Sequence, residues 1–166
     1  MGVIDNNFET QGTHLFFIDV NATPSRLVRK LTCPTGITGV NGGTADRIDT
    51  TCLDVNGRFR KNITGMADPG DITVPFILYD GDASHKALFT LHQSGQVVGW
   101  YMGLSDSTAT PTMDTDMSDL VSPAARTGFS FRGSVANLTI DAATNEVVRG
   151  TLTVRPTGGT TAYWAP

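Results

Sequence analysis

The sequence predicts a mainly β domain. It is an antiparallel β-sandwich or barrel-like structure, with one short α-helix packed on its side and long inter-strand loops. Three observations predict it. Hydrophobic residues recur with period two along most of the chain, the spacing of half-buried strands. A single stretch, 82–95, carries helical spacing instead. Long polar segments without lasting periodicity separate the strong elements.

The strands follow in order. "THLFFIDV" (13–20) places Phe16, Ile18 and Val20 on one face, and "RLVRKLTC" (26–33) is a weaker strand. "DITVPFILY" (71–79) is the clearest, with Ile72, Val74, Phe76 and Leu78 on one face. Pro75 in its middle lacks an amide donor, which predicts an edge strand or a bulge. "DASHKALFTLHQSG" (82–95) aligns Ala83, Ala87, Leu88 and Leu91. Asp82 or Ser84 can cap its start and Gly95 its end, giving a helix of about three turns. "QVVGWYMGL" (96–104) is strand-like and aromatic. In "GFSFRGSVANLTID" (128–141) the alternation runs through Phe129, Phe131 and Val135, then changes phase to Leu138 and Ile140. A phase change inside a strand predicts an inserted bulge residue. "EVVRGTLTVR" (146–155) turns Val148, Leu152 and Val154 inward, and 142–146 joins it to its predecessor as a hairpin loop.

These elements make one domain over 1–166. It carries an N-terminal arm (1–12), a projecting loop (52–71), a long loop (105–127) and a C-terminal arm (156–166). At 166 residues the chain is long enough for a core, since chains of ~150 residues bury roughly 70% of their unfolded surface. The net charge of -4 argues against non-specific nucleic-acid binding, which needs a basic footprint. No apolar run approaches the ~20 residues of a membrane span, and the start lacks a signal-peptide pattern. Cys33 and Cys52, without a CxxC or clustered His, read as free thiols. The sequons at Asn21, Asn62 and Asn137 read as chance in a chain rich in Thr and Asn.

Catalytic and ligand motifs fail on inspection. His85 and His92 are seven apart, not the four of HExxH. With His14 they read as exposed or interface histidines. "DVNG" (54–57) resembles the start of a calcium loop, but Arg58 stands where an acidic or amide ligand is needed. "GMADPGD" (65–71) lacks the Lys-[ST] ending of a P-loop, and "GFSFRG" lacks the spacing of GxSxG. No catalytic residue, metal site or cofactor is expected.

The segment "CLDVNGRFRKNITGMADPGD" (52–71) holds a different kind of signal. Asn56-Gly57 is a strong hairpin turn. Pairing across it sets Val55 against Arg58 and Cys52 against Lys61. One face then carries Leu53, Val55, Arg58 and Arg60, the other Cys52, Asp54, Phe59 and Lys61. Neither belongs in a core, because burying unpaired cations costs several kcal/mol, on the order of the ion desolvation penalty. The hairpin should project as a contact arm, or stand as a solvated loop.

Three pieces in order carry a family resemblance. They are "DTTCLD" (49–54) followed by the polar excursion and "GDITVPFILYD" (70–80), then "HKALFTLHQSG" (85–95), then "FRGSVANLTIDAATNEVVRGTLTVRPTGG" (131–159). Over about 12–159 the chain resembles the tail tube (major tail) proteins of lambda-like, non-contractile long-tailed bacteriophages. It departs in a longer 105–127 loop and in lacking an appended immunoglobulin-like domain.

The resemblance implies a structural virion protein, not an enzyme. Hexameric rings would stack into the hollow tail tube, pooling strands into an inner barrel. The partners implied are the chain itself, the tape measure protein, the tail terminator and baseplate or tail-tip proteins. Genomic DNA would pass through the lumen without specific binding, and no membrane is involved. The location implied is the virion tail, with assembly in the host cytoplasm. Contact residues implied on the excursion are Arg58, Phe59, Arg60, Lys61 and Met66. Asp114, Asp116 and Asp119 are a candidate acidic counterpart, and Asp46 and Asp49 are candidate lumen residues. Two other readings remain: a ring-forming tail terminator or other tail component, and a monomeric β-sandwich binding module with Trp100 and Tyr101 as its platform.

Overall fold

The computed structural model describes residues 8–52, 57 and 59–166. It is 43% strand and 8% helix, with antiparallel pairing throughout. The strands are β1 (His14–Asp19), β2 (Leu27–Lys30), β3 (Thr44–Asp49), β4 (Asn62–Asp68), β5 (Ile72–Ile77), β6 (Val98–Gly103), β7 (Thr112–Met113), β8 (Leu120–Val121), β9 (Gly128–Asp141), β10 (Arg149–Pro156) and β11 (Thr161–Tyr163). The helix α1 spans Ala83–Ser94. The main sheet runs β2-β1-β6-β9-β10-β5, with β11 also on β9; β3-β4 and β7-β8 are separate ribbons. No helix among the described residues is long and apolar enough to cross a membrane.

The period-two expectation holds best in β5, where Ile72, Val74 and Phe76 are buried and the residues between them are not. In β1 it fails: Leu15, Phe16, Phe17 and Ile18 are all buried. The reason is that β1 is covered on both faces. Phe17 packs on Trp100 at 5.3 Å, and Phe16 faces Tyr101 at 6.2 Å and the Arg126 guanidinium at 5.7 Å.

Pro75 sits where its missing donor is tolerated. Its carbonyl accepts from Thr35 N–H at 2.8 Å, away from β10. In an antiparallel ladder a residue's N–H and C=O point the same way, so the absent N–H costs no bond to β10. The outer edge of β5 is closed by residues 33–38, through reciprocal Thr38–Thr73 bonds and Ile77 N–H to Cys33 O. Cys33 and Cys52 are both free thiols.

The bulge read from the phase change is present. Thr153 pairs with Asn137 but Val154 pairs with Val135, leaving Ala136 unopposed. Leu152 and Val154 stay buried while Ala136 turns to solvent. The 156–166 segment is more ordered than its polar composition implies. After Pro156 pairs with Gly133, Thr157 N–H reaches Arg132 O and β11 resumes on Ser130, Phe129 and Gly128. β11 therefore continues the line of β10 along one edge of β9.

Asp82 caps α1 by accepting from Ser84 N–H at 2.8 Å and His85 N–H at 3.2 Å. Gly95, at φ 65, closes it by donating to Leu91 O. This left-handed end is the conformation for which glycine carries no Cβ penalty. His85 corrects the expectation of an exposed histidine: it is buried against Phe76 at 4.8 Å. Its Nδ1 accepts from Tyr79 N–H and its Nε2 faces Thr32 O. One neutral tautomer satisfies both bonds, so the ring packs in the core without an unpaired polar atom. His92 is exposed.

The 105–127 segment is not the structureless loop its sequence suggests. It forms the β7-β8 ribbon, buries Leu120, and bonds Tyr101 Oη to Ser122 Oγ at 3.0 Å. Its anchor is Arg126, which is fully buried. The guanidinium donates to the carbonyls of Leu104, Ala109, Gly12 and Gly103 at 2.8–3.0 Å. A Cβ on Gly103 would collide with the buried Arg126 guanidinium, so the close approach requires glycine there.

Candidate assembly interface

The surface outside the sheet is dominated by the β3-β4 ribbon. Asp49 pairs with Asn62, Ile48 with Ile63 and Arg47 with Thr64. The register then shifts, so that Gly65 and Met66 oppose Asp46 before Ala45 meets Ala67. At its root, Gly70 N–H donates to Gly42 O, close to the start of β5. The ribbon is thus longer than the 52–71 loop expected from sequence, and Asn62–Asp68 is strand.

The expected pairing is also displaced by two residues. Lys61 O accepts from Thr50 N–H at 2.8 Å, and Lys61 N–H reaches Thr51 Oγ1, so Lys61 does not face Cys52. The turn through Asn56 and the contact residue Arg58 lie outside the described residues.

Every residue of β3 is exposed, and so is most of β4. The exposure includes apolar side chains: Phe59 is 87% and Met66 89% exposed, while Ile48 and Ile63 are half-exposed as a cross-strand pair. Ribbons of two strands are marginal in water by themselves. This one holds its shape through polar links. With its amide oxygen turned toward Arg47, the Asn62 side chain accepts from Nη2 at 2.9 Å. The Asp49 carboxylate accepts from Thr51 N–H at 2.8 Å, and the Thr51 bonds hold its pKa below the ordinary value. Arg60 stands 3.9 Å from Asp49, a loose pair that leaves most of the guanidinium in solvent.

The other expected site residues lie elsewhere. Asp114, Asp116 and Asp119 belong to the β7-β8 ribbon. Asp114 accepts from Ser118 N–H at 2.8 Å and Asp119 N–H at 3.2 Å, and these backbone bonds, that of Asp119 first, lower its pKa. Asp119 pairs with Arg132 at 3.2 Å. Asp116 is exposed at the turn. Among the described residues, no hydrogen bond or ion pair joins this ribbon to the arm within one chain. Asp46 and Asp49 lie on β3, three positions apart and so on opposite faces of the arm.

The concavities of the sheet offer little chemistry. A groove of about 640 Å³ is lined by Thr10, Thr13, Pro34, Ile37, Met102 and Leu104 among others, none of them titratable. Another, of about 440 Å³ between β2 and α1, contains Asp19 and Arg29, which are paired at 2.6 Å. No cluster of three or more metal-ligating side chains occurs among the described residues. Sequence reasoning passed over Arg126, since an arginine in a polar loop gives no sign of burial.

The fold has solved counterparts. The SPP1 tail tube is similar with a TM-score of 0.56 at 14% identity, over 95% of this chain and 80% of that one. The tail of an empty gene transfer agent particle, refined with C6 symmetry, gives 0.62 at 12% identity over 95% and 100%. The sheath/tube terminator of an extracellular contractile injection system, PVC, gives 0.66 at 12% identity over 98% and 100%. A curated relative, Structural protein 3 of Pseudomonas phage PAJU2, is 32% identical over 157 residues, covering 93% of this chain and 92% of its own. Residues 6–165 match the family model described as phage tail tube, TTP, lambda-like. The chain belongs to the lambda-like phage tail tube family and is a tube-forming structural protein of the virion.

Proposed function

We propose that this chain forms hexameric rings that stack into the hollow tail tube, with the β3-β4 arm as the bridge between rings. The observation that carries this reading is the arm itself. It exposes Phe59, Met66 and the Ile48/Ile63 pair on a ribbon that contributes nothing to the core of its own subunit. Contiguous exposed apolar surface beside cations is the signature of a contact surface. The sixfold symmetry of the gene transfer agent tail supports the ring count.

Within this reading the lumen conducts DNA during ejection and encloses the tape measure protein. The ends of the tube meet a terminator and a tail-tip or baseplate complex. Asp46 and Asp49 are lumen candidates, and a net charge of -4 suits a wall that must not bind phosphates. The protein works by assembly and conducts no catalysis.

Negative-stain microscopy of purified wild type and of Arg60→Glu/Lys61→Glu tests it. Wild type should form tubes, and the double variant should remain folded but unassembled. Normal tubes from the double variant would remove the arm from the contact. Single rings from wild type would point to a terminator, and a monomer of 17.7 kDa to a binding module.

A further inference from the structure

An arm that bridges rings needs a receiving surface, and one end of the main sheet has the matching chemistry. There β5 ends, β10 begins and β9 finishes. Leu78 N–H donates to Val148 O at 3.0 Å, which holds residues 78–80 beside 146–148. Arg149 lies between Ile77 and Asp141 in the ladder, and Ile140 is in register with Gly150. Ile140, 39% exposed, and Val148, 36% exposed, form an apolar patch on the face that Gly150 and Phe76 share, while Tyr79 and Val147 stand on the other face with Ile77 and Arg149.

Three carboxylates, Asp80, Asp141 and Glu146, stand at the same end, all exposed. Among the described residues, none of the three makes an ion pair or a side-chain hydrogen bond. Arg149 is interleaved with them, so the rim carries three negative charges against one positive. The arm is its inverse: Phe59 beside Arg60 and Lys61.

Other surfaces fit less well. The apolar surface of Val121, Tyr163 and Trp164 has Asp119 nearby, but that carboxylate is already held by Arg132. Asp114 is occupied by the backbone of its own turn. Free negative charge beside apolar area is what a Phe-Arg-Lys tip requires, because opposed potentials set register and speed docking.

We propose that Phe59 of one copy packs on the Ile140 and Val148 patch of a second copy, with Arg60 and Lys61 facing its Asp80, Asp141 and Glu146. This rests on the arm being the inter-ring contact. The buried ring supplies affinity and the charges fix orientation, as an aromatic anchor within a polar rim does.

The test uses full-length protein in two ways. First, p-benzoylphenylalanine replaces Phe59, tubes are irradiated, and crosslinked peptides are mapped. Crosslinks to residues 78–80 or 140–149 of another copy are expected. Second, Asp141→Lys/Glu146→Lys and Arg60→Glu/Lys61→Glu are each assayed for assembly and thermal melting. Each pair should raise the protein concentration needed for tubes by about tenfold or more, with the melt unchanged. Combining all four substitutions should restore assembly. Crosslinks to 112–121 or 161–164, or wild-type assembly by Asp141→Lys/Glu146→Lys, would overturn this receiving surface while leaving the arm in its role. Wild-type assembly by Arg60→Glu/Lys61→Glu, with no crosslink between copies, would overturn the arm reading itself.

Discussion

Arg126 donates from Nη2 to Nδ1 of His14 at 3.1 Å. A guanidinium has no acceptor, so Nδ1 must be unprotonated and His14 neutral. Burial, followed by the charges of Lys30 and Arg126, lowers the His14 pKa below the ordinary histidine value of 6.5. A depressed histidine makes the unfolded state the stronger proton binder below that value. Its contribution is therefore complete above about pH 6.5 and is lost as pH falls toward the folded-state pKa. Thermal melts between pH 7.5 and 5 should show wild type losing stability, with a smaller loss in His14→Gln. Equal slopes for the two proteins would remove His14 from the effect.

Arg126 joins the chain start at Gly12, the end of β6 and the 105–127 segment through one side chain. Replacing it with Met would strand several buried carbonyls. Each unsatisfied group costs about 1–3 kcal/mol, so Arg126→Met should lose about 3 kcal/mol or more. Lysine has no planar fork and cannot reach all four carbonyls, so Arg126→Lys should recover little. Urea unfolding midpoints measure both, and a Lys variant as stable as wild type would contradict the geometry.

The Asp82 cap predicts an acid-side effect. Burial pushes its carboxyl up, but bonds from Ser84, Thr32 and His85 outweigh that and bring it down to about 2. The contribution of a depressed carboxyl is present above the unfolded value of 3.8 and is lost as pH falls toward 2. Asp82→Ala should cost about 1 kcal/mol near pH 6. Asp82→Asn keeps an acceptor oxygen and should flatten the loss between pH 4 and 2.5, measured by circular dichroism melts.

The bulge in β9 separates length from composition. Ala136 is exposed, so Ala136→Ser should change stability by no more than about 0.5 kcal/mol. Deleting Ala136 shifts one part of β9 by a residue, which sends its side chains to the opposite face. Either Val135 or Leu138 would then leave the core, and the deletion should yield insoluble or unfolded protein. A soluble deletion variant with a native melt would show that the register is not held as described.

Phe59 separates folding from assembly. Its ring is almost fully in solvent, so Phe59→Ala should leave the monomer melt within about 0.5 kcal/mol of wild type. Tube formation should need a higher protein concentration. Light scattering against concentration gives the comparison, and an unchanged onset would place the ring outside any contact.

Local pattern carried much of this fold. The alternation of Ile72, Val74 and Phe76 and the helical spacing of Leu88 and Leu91 are set by which residues share a face, a property of neighbours in the chain. The caps Asp82 and Gly95, the edge position of Pro75 and the bulge near Ala136 were legible for the same reason. Each is a local conflict or match between one residue and the backbone geometry of its element. The arm was legible as a segment with no face fit for a core. Its register was not, because a turn motif alone does not choose between pairings two residues apart.

What the tertiary structure decided involves partners far apart in sequence. Arg126 is buried because carbonyls from Gly12, Gly103, Leu104 and Ala109 converge on it, and no window of the sequence contains them all. His85 is buried because Thr32, Tyr79 and Phe76 meet around it. β1 is apolar on both faces because the 105–127 segment folds back over the side opposite α1. The convergence of Asp80, Asp141 and Glu146 likewise depends on β5, β9 and β10 lying side by side. Periodicity along a chain specifies an element and its inward face. Which distant groups then surround a side chain is set by the register and order of strands, and that order settles which charges are satisfied within the subunit and which are left for a neighbour.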